Sequence, residues 1–255
     1  MKRLILATLI LGLLGISAPA GQDKQATDAK IDDMKSAEAK NILEKSRAAL
    51  EQVRMARYDA KYKGTTWITA YVPAIEGSVV VGEPSEYDVT RFWCDVKLTP
   101  IGSEEVLKLT AGSDGDMYYV IDHQTKTAHA DIDPAVMGSR PRDPRRVVVN
   151  TFVSKDPLQQ ELEAEKIELK EDAEVGGEPC HQILVTYGET QQGLWFVSKN
   201  DCLPRRVVRV YKNEAGEEGT TELELTNLKT DTKLDTAPFE LKVPEGYAQS
   251  DDFAP

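Results

Sequence analysis

The sequence predicts a mainly β protein with helices (α+β), in which a strongly curved antiparallel sheet has helices over its concave face. Three observations support this class. A stretch without Gly or Pro, rich in Ala, Glu, Lys and Leu, comes first. Ten short segments then follow in which hydrophobic and polar residues alternate, and turn residues separate them. Strands joined by short turns pair antiparallel, and twisted sheets curl, so we expect one bent meander.

Composition and charge narrow the functional classes. The chain has 255 residues, with 31 Lys and Arg against 43 Asp and Glu, which gives a net charge of −12. Such a surface repels phosphate backbones and anionic headgroups, so nucleic-acid binding and peripheral membrane attachment are disfavoured. With only 3 His and 3 Cys and no catalytic motif, we expect no enzyme activity, metal site or cofactor.

The N-terminus has the pattern of a cleaved secretory signal over residues 1–20. Two basic residues precede the apolar run Leu4–Ile16, and the small residues Ala18 and Ala20 follow it. The run is shorter than the roughly 20 apolar residues that cross a bilayer. We therefore expect an exported protein, periplasmic or secreted, that does not span the membrane after cleavage.

The first predicted element is a long amphipathic helix from about Ser36 to Tyr58. Ile42, Ala49 and Val53 lie on one helical stripe. The polar residues 21–35 before it are predicted to be a flexible lead-in, and 36–255 a single domain because no linker-like segment interrupts them.

The predicted strands follow in order, with hairpin turns at Ser113-Asp114-Gly115 and Asn213–Gly216. They are Thr65–Val72, Val89–Leu98, Glu104–Thr110, Asp116–Asp122, Ala128–Ile132, Lys166–Lys170, His181–Tyr187, Leu194–Lys199, Arg205–Lys212 and Thr220–Lys229.

One break interrupts the meander, and it is predicted to be a short helix over Arg145–Val153. Asp143 suits the N-cap and Pro144 the first helical position. Four arginines lie at this point, which suits a phosphate or carboxylate head group; the alternative is that they neutralise neighbouring acidic segments. They are Arg140, Arg142, Arg145 and Arg146.

The cysteines allow one disulfide. If the strands around residue 190 form a hairpin, Cys180 lies almost opposite Cys202, within the reach of a disulfide. Two separate thiols are the alternative. Cys94 shares one face of a strand with Phe92 and Val96, and is expected to be a buried, inert thiol.

Two groups of residues resemble the LolA family of periplasmic lipoprotein carriers. The first is the hairpin Ser113-Asp114-Gly115 with the strand up to Asp122. The second is C-terminal and comprises Leu223–Asn227, Asp235, Phe239, Pro244-Glu245-Gly246 and Asp251-Asp252. Parts of the N-terminal segment also resemble exported LolA-like proteins of unknown role.

The resemblance implies an unclosed half-barrel whose apolar interior, under a helical lid, holds an acyl chain, a lipid or a lipoprotein. An envelope-stress sensor or protein-interaction scaffold of the same fold, with an envelope protein as partner, is the alternative. The family's lid is tied by an arginine on a strand, for which Arg57 and Arg91 are both candidates. The residues implied to line the groove are Leu43, Leu50, Val53, Phe92, Val96, Leu98, Ile183, Val185, Leu223 and Leu225.

Overall fold

The computed structural model describes residues 22–138, 142–230 and 239–250, with side chains from residue 33 onward. The predicted signal peptide, Arg140 and the motif residues Asp235, Asp251 and Asp252 lie outside the described residues.

The helices are α1 (Gln22–Leu50) and α2 (Gln159–Leu162), with 3-10 turns at Thr66–Ala70, Pro134–Met137, Pro144–Val147 and Asn150–Phe152. The strands are β1 (Met55–Gly64), β2 (Ala74–Pro84), β3 (Thr90–Thr99), β4 (Leu107–Ser113), β5 (Tyr118–Asp122), β6 (Thr127–Asp131), β7 (Lys166–Leu169), β8 (Ala173–Val175), β9 (Glu178–Thr186), β10 (Gln191–Ser198), β11 (Pro204–Lys212), β12 (Glu218–Thr230) and β13 (Ala248–Gln249).

These strands form one unclosed sheet, which confirms the predicted fold class. Its order is β13-β6-β5-β4-β3-β2-β1-β12-β11-β10-β9-β7, with β8 also on β9. Two antiparallel meanders, β1–β6 and β9–β12, are thus joined where β1 pairs with β12. The short strand β13 pairs parallel with β6, so the sheet is mixed. The result is an open half-barrel.

The prediction for the first helix is correct in type and wrong in extent. Helix α1 begins at Gln22, inside the segment predicted as a flexible lead-in, and ends at Leu50 rather than Tyr58. Strand β1 starts at Met55 and was missed. Its inward residues are small or aromatic (Ala56, Tyr58, Ala60, Tyr62) and its outward residues are mostly charged, a composition that also suits a helix.

Strand β2 was missed for a different reason, its glycines. A Cβ at Gly77 would lie 2.1 Å from the carbonyl oxygen of Asp95 on β3, so only glycine fits the close approach of the two backbones. The predicted strand Thr65–Val72 is wrong. This segment forms a 3-10 turn, entered through the positive φ of Thr66.

The concave face is covered by α1 and by the segment 143–155, called the roof segment below. The predicted cap is confirmed, since the Asp143 carboxylate accepts a hydrogen bond from the backbone N–H of Arg145 at 3.0 Å and Pro144 follows. The predicted single helix is replaced by two 3-10 turns. Val148 and Val149 separate them, as expected where a run of β-branched side chains disfavours an α-helix.

The convex face carries the C-terminal segment. Phe239 is 3 % exposed and packs against Met55 of β1, Val80 of β2 and Trp93 of β3. Gly82 makes room for it, because a Cβ there would lie 2.8 Å from the Phe239 ring. None of the helices within residues 22–138, 142–230 and 239–250 has the length and apolar character needed to cross a membrane.

Candidate functional site

The concave wall of the sheet is apolar and includes the seven strand residues implied by the family resemblance. Six of them are buried in one cluster, and Leu223 is half-buried against it. Leu43, Leu50 and Val53 reach the same cluster from the cover. The structure therefore brings all ten predicted residues together, with the wall and the cover packed against each other.

Tyr58 attaches the roof segment to this wall. Its side chain is 1 % exposed, and its hydroxyl donates to the carbonyl of Val147 at 3.0 Å and accepts from the N–H of Val149 at 2.9 Å. Its ring packs against Phe152, with centroids 5.6 Å apart. Burial strongly raises the pKa of Tyr58, so the hydroxyl stays neutral. Neither Arg57 nor Arg91 has this role: Arg57 is exposed, and Arg91 donates to the carbonyl of Asp114.

A cavity of about 370 Å³ opens at the end of the wall where β1 begins; we call it the rim cavity. Leu50, Val53 and Val153 form its apolar part, and all three belong to the main cluster. Its edge is charged and is crossed by two exposed ion pairs, Arg54–Glu83 at 3.0 Å and Lys155–Asp88 at 2.9 Å. Exposed pairs of this kind contribute little stability, so the edge holds the cover weakly.

The opposite end of the wall is polar. Glu161 is only 6 % exposed and accepts hydrogen bonds from Tyr187 at 2.8 Å and from Arg209 at 3.0 Å. The Arg209 guanidinium also lies over the rings of Tyr187 and Trp195, 4.8 and 5.3 Å from their centroids. The buried Glu161 carboxylate is therefore paired with a cation, as a buried charge has to be.

Arg146 reaches the same end of the wall from the roof segment. It donates to the Tyr62 hydroxyl at 3.3 Å, and its guanidinium lies 5.9 Å from that ring centroid. Its Nε is buried without a hydrogen-bond partner among the described residues. Burial raises the pKa of Tyr62, an effect opposed by Arg146 and also by Thr221.

The other predicted head-group arginines have different surroundings. The Arg145 guanidinium donates two hydrogen bonds to the Asp143 carboxylate, at 2.8 and 2.9 Å, so its charge is neutralised within the roof segment. Arg142 is exposed, and Arg140 lies outside the described residues. Of the described arginines in this group, only Arg146 points at the wall. Sequence reasoning could not separate it from its neighbours.

The predicted disulfide is not formed, because Cys180 and Cys202 are both free thiols. Cys180 pairs in register with Ser198 and packs with Val175 and Phe196, whereas Cys202 packs against the main cluster. The two thiols thus belong to different apolar clusters. Cys94 is fully buried as predicted, and burial raises its pKa to about 12.

No group of three or more His, Cys, Asp or Glu side chains arranged to hold a metal ion occurs among the described residues.

Comparison with known proteins gives a family and a fold. Residues 125–250 match the family described as predicted periplasmic protein (DUF2092), which confirms the periplasmic location expected from the leader. No curated protein matches the chain. Among solved structures, LprF from Mycobacterium bovis is 10 % identical, with 83 % of this chain and 98 % of that chain covered and a TM-score of 0.50.

Two further structures are more distant. One is MucB in the complex with MucA from Pseudomonas aeruginosa, which is 11 % identical and has a TM-score of 0.43. The match covers 80 % of this chain and 61 % of the MucB chain. A domain of a putative outer membrane lipoprotein-sorting protein from Vibrio parahaemolyticus is 10 % identical, covering 80 % of this chain and 97 % of that chain, with a TM-score of 0.35.

Residues 125–250 thus match the family described as predicted periplasmic protein (DUF2092), and the chain has an open half-barrel fold similar to that of LprF.

Proposed function

We propose that this protein reversibly binds one apolar chain, such as the acyl chain of a lipid or lipoprotein, between the concave wall and its cover. The observation that carries the proposal is the rim cavity, whose floor of Leu50, Val53 and Val153 connects solvent with the main apolar cluster. An apolar chain placed there would continue along the wall if the roof segment moved outward.

The attachment of the cover supports such movement. Apart from apolar packing, the described residues tie the roof segment to the sheet through the two hydrogen bonds of Tyr58, the longer bond between Arg146 and Tyr62, and the exposed ion pair of Lys155 with Asp88. A bound chain would replace the lost packing with its own, since burial of apolar surface stabilises by roughly 25 cal/mol per Å². Binding of this kind requires no catalytic group.

A second candidate, a protein-interaction scaffold or envelope-stress sensor, is favoured by one observation. The wall is packed against its cover along most of its length: nine of the ten predicted groove residues are buried in the main cluster, and Leu223 packs against it. A scaffold has no need for the interior to open. The two functions therefore differ in whether an apolar molecule enters.

Titration with an uncharged apolar fluorophore, N-phenyl-1-naphthylamine, tests the proposal. We expect saturable binding of one molecule per chain and displacement by a long-chain alcohol. Val153→Trp, which fills the rim cavity, should weaken binding, while Ile132→Trp at a site 74 % exposed serves as the matched control. Absence of saturable binding to the wild type would remove the carrier function and leave the scaffold.

A further inference from the structure

We propose that the ligand of this protein is an amphiphile with a single oxyanion, a carboxylate or a phosphate, and that Arg146 binds this group at the Tyr62 end of the concave wall. The inference rests on the proposed function and adds the chemical class of the ligand and its direction in the site.

The first support is the unmatched charge of Arg146. Within the described residues its Nε is buried and unpartnered, and the guanidinium donates one hydrogen bond, to the neutral hydroxyl of Tyr62. It forms no ion pair with a carboxylate in the described part of the chain. A buried guanidinium nitrogen without an acceptor costs free energy, and a bound anion would remove this cost.

The second support is the contrast with the other cations of the same region. Arg145 is neutralised by Asp143, and Arg209 by Glu161. Each of these guanidinium groups already has its carboxylate, so neither is available to a ligand. Arg146 is left with donors in a fixed fork geometry that suits a planar carboxylate or a phosphate.

The surroundings supply further polar groups. Thr221 is 9 % exposed and lies beside Tyr62, where hydrogen bonding from Thr221 lowers the pKa of the Tyr62 hydroxyl and Tyr211 raises it. In register, Thr221 is paired with Gly64 of β1 and with Arg209 of β11, which places it on the same concave face. Hydroxyl groups next to a cation are common partners of bound oxyanions.

The position of Arg146 also sets the direction of the ligand. The rim cavity is lined by Arg54, the residue before Met55 at the start of β1, and Tyr62 is seven residues beyond Met55 along the strand. At about 3.3 Å per residue this corresponds to roughly 23 Å. With its oxyanion bound at Arg146, the ligand would therefore place its hydrocarbon chain along β1, and the free end of that chain would point towards the rim cavity.

Calorimetric titration of the full mature chain with three probes tests the inference. The probes are dodecyl phosphate below its micellar concentration, dodecanol, and inorganic phosphate alone. We expect dodecyl phosphate to bind at least about tenfold more tightly than dodecanol, the size expected for one charge-assisted hydrogen bond. Inorganic phosphate should show no binding at these concentrations.

Three variants accompany the titrations. Arg146→Gln should abolish the preference for dodecyl phosphate over dodecanol. Arg146→Lys should retain part of the preference, and circular dichroism shows whether each variant is folded. Arg142→Gln removes the same charge from an exposed position of the same region and should keep the full preference.

The outcomes separate this inference from the proposed function. Equal affinities of the wild type for dodecanol and dodecyl phosphate would overturn the inference and leave the carrier function intact. A preference that survives Arg146→Gln would also overturn it. Binding of inorganic phosphate as tight as that of dodecyl phosphate would assign the site to a free anion and not to an amphiphile. Binding of none of the three probes would remove both proposals.

Discussion

The hydroxyl of Tyr58 on the sheet donates to the carbonyl of Val147 at 3.0 Å, although the two residues are 89 positions apart in the chain. The same oxygen accepts from the N–H of Val149, so one side chain satisfies two buried backbone groups of the roof segment. This pair of hydrogen bonds, with the packing of Phe152 on the Tyr58 ring, holds the cover on the wall.

Removal of this hydroxyl should loosen the roof segment. Tyr58→Phe keeps the ring and leaves the carbonyl of Val147 and the N–H of Val149 without partners, which costs about 1–3 kcal/mol of unfolding free energy. Amide exchange at Val149 should accelerate in the variant. The exposed Tyr71→Phe is the control and should change neither quantity. Unchanged exchange at Val149 would show that apolar packing alone holds the segment.

Gly77 should be indispensable for the pairing of β2 with β3. In Gly77→Ala the new Cβ would meet the carbonyl oxygen of Asp95 at 2.1 Å, so the strands have to separate locally. We expect a loss of about 1–3 kcal/mol in urea unfolding, as in other overpacked sites. Gly188→Ala, where no atom lies within 4 Å of the added Cβ, should be close to neutral. Equal stabilities of the two variants would contradict the close approach.

Stability should fall on acidification because of Glu178. Burial of this carboxylate raises its pKa, but hydrogen bonds from Arg205, at 2.7 and 3.0 Å, and from Ser198 outweigh burial and hold the pKa below 4.5. A group with a lowered pKa in the folded state stabilises above its unfolded pKa, and this contribution disappears as the pH falls through the folded value.

Urea unfolding between pH 7 and pH 3 measures this effect. The wild type should lose stability below about pH 4.5, the ordinary value for this carboxyl group. The Glu178→Gln variant should not show the decrease in stability that comes from protonation of Glu178. It should be less stable than the wild type at pH 7 because Arg205 loses a charged partner. Glu189→Gln, in an exposed turn, is the control. Parallel pH profiles for the wild type and Glu178→Gln would contradict the assignment.

All three cysteines should titrate as thiols without reductant in the unfolded protein purified from the periplasm. Cys180 and Cys202 are both free and pack with different apolar clusters, so we expect them to stay reduced in an oxidising compartment. In the folded protein Cys94 should be unreactive at neutral pH, since burial raises its pKa to about 12. A count of one thiol per unfolded chain would establish a disulfide and contradict this packing.

Several elements could be predicted from the sequence because the local residue pattern and the position of the element in the fold favour the same structure. Alternation along β3 places Phe92, Val96 and Leu98 on one buried face, as the sequence indicated. The cap at Asp143 was likewise correct, because a carboxylate before a proline has a local function that does not depend on the rest of the chain.

Other features depend on contacts between distant segments. The inward residues of β1 include two alanines and two tyrosines, and only the pairing with β2 and β12 makes that composition a strand. Tyr58 can be assigned its role only when the roof segment is known to lie above it. Arg146 can be distinguished from Arg145 only by their contacts, since Arg145 is paired with Asp143 and the Nε of Arg146 has no partner among the described residues. The separation of Cys180 from Cys202 follows from which cluster each thiol joins.

Native mass spectrometry of the protein purified from the periplasm, without detergent or added lipid, tests directly whether the concave wall holds an apolar chain. We expect a species heavier than the mature chain by the mass of one acyl-bearing molecule, which dissociates at higher collision energy and is lost first in Tyr58→Phe. Protein that carries no bound molecule, and that takes up none when acyl amphiphiles are supplied, would show that the protein is not a carrier of such chains.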